Sequence, residues 1–82
     1  MHIPTIRHLQ QDGAGLESRT RLQIARNAWN EATGDLLWEI DRVLAGGAVD
    51  QPALSALRLV VDEKRIGCEA ELDSLRSREN PR

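Results

Sequence analysis

The sequence predicts an all-α fold: an antiparallel two-helix hairpin of coiled-coil type, preceded by a short lead that is flexible or briefly helical. Three observations predict it. An apolar series runs through Leu22, Ala25, Trp29, Ala32, Leu36, Ile40 and Val43 in steps of three and four, which marks one face of a helix. A second series, Leu54, Leu57, Val61, Lys64, Cys68, Leu72 and Leu75, repeats those steps. Between them, Gly46-Gly47 stops the first helix, because glycine takes the left-handed C′ conformation without steric cost. Two helices matched in pattern and length, joined by a short turn, pack antiparallel.

The elements follow in chain order. Residues 1–15 form the lead. Thr5 can cap a short turn over Ile6 to Gln11, with Ile3, Ile6 and Leu9 on one side, and Asp12-Gly13-Ala14-Gly15 breaks it. Residues 16–79 form the hairpin. Its first helix is expected to start near Ser18 or Thr20, where Thr20 and Gln23 have capping-box spacing, and to run to about Ala45. Thr33-Gly34-Asp35 is a place for a kink or a break, but the apolar series stays in phase across it, which favours one helix. The turn falls at 46–51. Asp50 caps the second helix and Pro52 fits its first turn, where a missing N–H costs nothing. That helix runs from about Gln51 to Arg78, and residues 80–82 are a tail. Glu17–Arg21, Glu39–Arg42, Arg58–Asp62 and Arg65–Glu69 have the spacing of helix-surface ion pairs. Lys64, the polar member of the second series, is expected to snorkel out of the seam.

Composition excludes several classes of function. The chain has 82 residues, one cysteine and a net charge of −2. No apolar run approaches the ~20 residues that span a bilayer, and no secretory h-region opens the chain, so a cytoplasmic address with no membrane partner is expected. Residues 1–30 carry four Arg against Asp12 and Glu17, whereas residues 31–82 carry seven basic against eleven acidic residues. No basic cluster supports counterion release, so nucleic acid is not expected as a partner. With Trp29 and Trp38 as the only large aromatics, the core is thin, and a further binding surface or self-association is expected.

No set of residues points to catalysis, to a metal or to a cofactor. His2 and His8 have no Cys or carboxylate at ligand spacing. Cys68 falls on the second apolar series, as a small buried hydrophobe. Gly13-Ala14-Gly15 is a bare G-x-G without strand, third glycine or downstream acid. The carboxylates Asp62, Glu63, Glu69, Glu71 and Asp73 are spread over a helix surface and read as solvation. A non-enzymatic protein is expected.

Apolar residues off the two main series are the functional signal. Leu59 and Ile66, seven residues apart, point away from the face of Leu57 and Val61, and Ala56 and Ala70 flank them. Ile24, Ala28 and Trp38 fall off the seam of the first helix. These seven residues are the expected partner-binding surface. Trp38 is the candidate anchor, and Trp29 is assigned to the core.

The segment Val43-Leu44-Ala45-Gly46-Gly47-Ala48-Val49-Asp50-Gln51, running on through Leu54, Leu57 and residues 59–75, resembles a known group. It is similar to the small co-chaperones of bacterial type III secretion, of the YscE, PscE and SsaE kind. Where that group often has an aromatic after the Gln, this chain has Pro52. The resemblance covers roughly residues 20–76 and implies a cytoplasmic, non-enzymatic hairpin. Its implied partners are a tetratricopeptide-like chaperone and a needle subunit held as a monomer. The residues alone leave a second reading open, a self-assembling homodimeric four-helix bundle with a structural or regulatory role.

Overall fold

The computed structural model describes residues 3–79, with side chains described from Leu16 onward. It is a helical hairpin: α1 spans Ile3–Leu44 and α2 spans Gln51–Glu79. All tertiary packing among the described residues is between these two helices.

α1 is longer at its start than the sequence suggests. It runs unbroken through Asp12-Gly13-Ala14-Gly15 rather than beginning near Ser18 or Thr20. Thr20 does not cap it. Its hydroxyl donates to the Leu16 carbonyl one turn back, at 2.9 Å, as a residue inside a helix does. Thr33 does the same to the Trp29 carbonyl at 2.9 Å, and the helix passes Gly34 without interruption. A glycine inside a helix costs about 1 kcal/mol relative to alanine, which the helix on either side absorbs.

The turn is built as the residues dictate. Gly46 has φ of +110°, the left-handed region open to glycine. The Gly47 N–H donates to the Arg42 carbonyl and the Gly46 N–H to the Val43 carbonyl, both at 3.0 Å, which is a Schellman motif. Gly47 is required for a different reason. A Cβ there would lie 2.9 Å from the Arg42 carbonyl oxygen and 2.5 Å from its guanidinium. Asp50 is the N-cap of α2, accepting the Ala53 N–H at 3.1 Å, which places Pro52 in the first turn.

The seam steps by sevens on both helices. On α1 Ser18, Ala32 and Glu39 are buried, and Ala25, in step with them, is half-buried, as are Leu22, Trp29, Leu36 and Val43 beside it. On α2 the same step runs through the half-buried Leu54 and Val61 to the buried Cys68 and Leu75. Small side chains on α1 let α2 come close. Two expected seam positions are corrected. Ile40 is exposed, and the neighbouring Glu39 is turned in at 8% exposure. Leu72 is exposed, with Glu71 half-buried in its place. Lys64 is exposed, in keeping with its expected turn out of the seam, and Arg65 lies closer to the seam. A strict seven-residue step selects Glu39 and Leu75 and rotates Ile40 and Leu72 outward.

Two ion pairs cross between the helices at the end far from the turn: Arg19 with Glu79, and Arg21 with Glu71 at 3.3 Å. Each is partly exposed and stabilises by about 0–1 kcal/mol. Within the helices, Arg21–Glu17 at 3.9 Å and Arg65–Glu69 at 3.0 Å form as their spacing predicts. Asp62 pairs with Arg65 at 4.0 Å rather than with Arg58.

Glu39 can be buried because Arg42 neutralises it. The Arg42 Nε lies 3.2 and 3.1 Å from the two carboxylate oxygens, and its Nη2 donates to the Ala48 carbonyl at 2.8 Å. One guanidinium thus ties the seam to the turn. Its hydrogen bonds hold the Glu39 carboxyl below the ordinary 4.5, against the opposing effect of burial, and its charge adds to the lowering. A depressed folded-state value means this carboxylate stabilises the fold above its unfolded value. That contribution is lost as pH falls from about 4.5 through the folded value. The parent hairpin is therefore expected to lose melting temperature more steeply than Glu39→Gln over that range. Identical pH profiles for the two chains would exclude this role.

Candidate functional site

The surface, not a pocket, carries the functional signal. Among the described residues the buried apolar side chains are Ala32, Cys68 and Leu75, whereas eleven large apolar side chains are exposed. A two-helix hairpin has one seam, so an apolar residue off that seam has nothing in the chain to cover it. The exposed set is too large to be scattered surface, and it falls into groups.

The first group lies along one flank. A groove of about 360 Å³ runs beside the seam there, lined by Arg21, Ile24, Ala28, Glu63, Gly67 and Glu71, among others. Seven-residue steps from Ile24 and Glu63 extend this flank to Trp38 on α1 and to Ala56 and Ala70 on α2. Ile24 and Trp38 are 63% and 69% exposed. Ala28 is half-buried in the groove wall, and Ala56 and Ala70 are exposed. The second group, Leu59 and Ile66, stands on the outer surface of α2, at 62% and 57% exposure. The seven expected binding residues thus occupy one flank and the outer surface adjoining it.

Sequence reasoning missed two members of the flank, Val60 and Gly67. Val60 is exposed, seven residues before Gly67. Gly67 was legible as a glycine inside a helix with no turn to serve. A Cβ there would meet nothing within 4 Å, so no packing within the chain requires glycine. The opposite flank was missed as a whole. It carries Arg26, Asn30 and Thr33 beside Trp29, and seven-residue steps add the exposed Leu37, Ile40 and Leu44.

The remaining candidates place no chemistry. Cys68 is a free, buried thiol inside the seam. His2 lies outside the described residues, and His8, with Gly13 and Gly15, lies outside those whose side chains are described. Among the described residues no group of three His, Cys, Asp or Glu side chains can hold a metal. No helix among them is long and apolar enough to cross a membrane. No protein-family model, curated protein or solved structure matches the chain.

Proposed function

We propose that the hairpin is a protein-binding module, an adaptor or chaperone that presents an apolar helical surface to a helical partner in the cytoplasm. The single observation that carries this reading is that eleven large apolar side chains are exposed while only Leu75 among the large ones described is buried, the seam's Leu22, Trp29, Leu36, Val43, Leu54, Leu57 and Val61 being half-buried. A core of this size yields no more than about 3–5 kcal/mol. Covering Ile24, Trp38, Leu59 and Ile66 with a partner helix adds burial at about 25 cal/mol per Å². Trp38, the most exposed of these four, is the anchor. The resemblance to type III secretion co-chaperones supports a finer version, with a tetratricopeptide-like chaperone and a needle subunit as partners.

Leu59→Glu and Ile66→Glu test it. Both positions are exposed, so the helical circular-dichroism signal should be unchanged. Binding to a co-expressed tetratricopeptide-like chaperone, measured by calorimetry, should weaken by about 2–4 kcal/mol, because an interface would then trap an unpaired charge. Parent-like affinity in both variants, or no complex with the parent, would remove the reading's support.

A further inference from the structure

The two flanks of the hairpin differ in charge as well as shape. Arg21 lies opposite Glu71, so eight residues further along each helix Glu63 stands level with Trp29. On the grooved flank, Glu31 and Asp35 follow Ile24 and Ala28 by seven residues and join Glu63 around this level. All three are exposed, and none forms an ion pair with another described residue. Lys64 stands among them and leaves the centre net negative. The opposite flank has Arg26 and Arg58 at similar levels, exposed and likewise without an ion pair to a described residue. Shape follows the same division. The acidic flank is hollow at Gly67, where an added Cβ would meet open space. The basic flank projects Leu37, Ile40 and Leu72, all exposed.

We infer that a second copy of this chain docks its basic flank into the acidic, grooved flank of the first. This rests on the reading of the exposed apolar surface as a binding surface, and it names one occupant of that surface. Charge selects the arrangement. Grooved flank against grooved flank sets Glu31, Asp35 and Glu63 against their own copies, and basic against basic does the same to Arg26 and Arg58. Only unlike flanks bring opposite charges together while apolar projections meet the hollow. Such a contact is heterologous, so each docked copy leaves a free flank of each sign at the ends, and assembly continues past the dimer unless a ring closes.

Two variants, each disabling one flank, provide the test. Gly67→Leu fills the hollow, and its Cβ meets nothing within 4 Å in its own chain. Arg26→Glu/Arg58→Glu reverses the basic flank at two exposed positions. Circular dichroism first confirms that both keep the helical hairpin. Sedimentation velocity should show the parent growing past a dimer as concentration rises, with loss of that growth in high salt. Each variant alone should be monomeric. Their equimolar mixture should form a heterodimer with one copy of each and grow no further. A monomeric parent, a variant that dimerises alone, or variants that ignore each other when mixed would overturn the inference. Leu59 and Ile66 lie on the outer surface and are untouched by these variants. The adaptor reading therefore stands or falls on its own measurement.

Discussion

Ala32→Glu is expected to abolish the cooperative thermal transition of the hairpin. Ala32 is 6% exposed at the middle of the seam, where small side chains let the helices approach. A glutamate there must either bury an unpaired charge or push α2 away. Breaking or stranding a buried charge costs about 3–5 kcal/mol, which equals the whole yield of a core this small. Circular dichroism during heating should therefore change from a sigmoidal loss of helix to a shallow slope. Leu59→Glu, the same charge on the outer surface, serves as the control and should melt like the parent. A cooperative melt in Ala32→Glu would mean that the seam is not the source of stability.

The same substitution, glycine to alanine, is expected to have opposite signs at two positions. Gly46→Ala forces a Cβ into a left-handed conformation and should destabilise by about 1–2 kcal/mol. Gly34→Ala places a methyl group in open space within a helix and should stabilise by about 0.5–1 kcal/mol. Urea midpoints for the two variants, compared with the parent, read both signs. A neutral or stabilising Gly46→Ala would show that the chain does not turn through a left-handed residue here.

These positions also show why parts of the fold were legible and others were not. The turn was legible because its chemistry is local. Gly46 and Gly47 end a helix and Asp50 starts one, whatever surrounds them. The seam was legible in phase, through Ala25, Ala32, Leu57, Val61 and Cys68, because apolar spacing reports one helical face. Glu39 was hidden because a carboxylate reads as surface. Only the approach of Arg42 and its link to the Ala48 carbonyl make burial tolerable there. The start of α1 was misread for a similar reason. Gly13 and Gly15 argue locally for a break, and the helix runs through them. For the candidate surface, the exposure of Ile24, Trp38, Leu59 and Ile66 followed from phase alone. The opposite signs of the two flanks did not, since they depend on which unpaired charges the register brings to one level.

The seven-residue step of the seam has a cost in uniqueness. Ser18, Ala25, Ala32 and Glu39 repeat at equal intervals, as do Leu54, Val61, Cys68 and Leu75. If α1 slid by one interval, Ala25 would take the place of Ala32 and meet the same kind of neighbour. Apolar burial alone would scarcely distinguish the two alignments. The turn and the ion pairs between the helices are what make sliding expensive. Arg21 meets Glu71, and Arg19 meets Glu79, only in the present alignment. They act as address labels, stabilising little themselves but penalising every alignment except one.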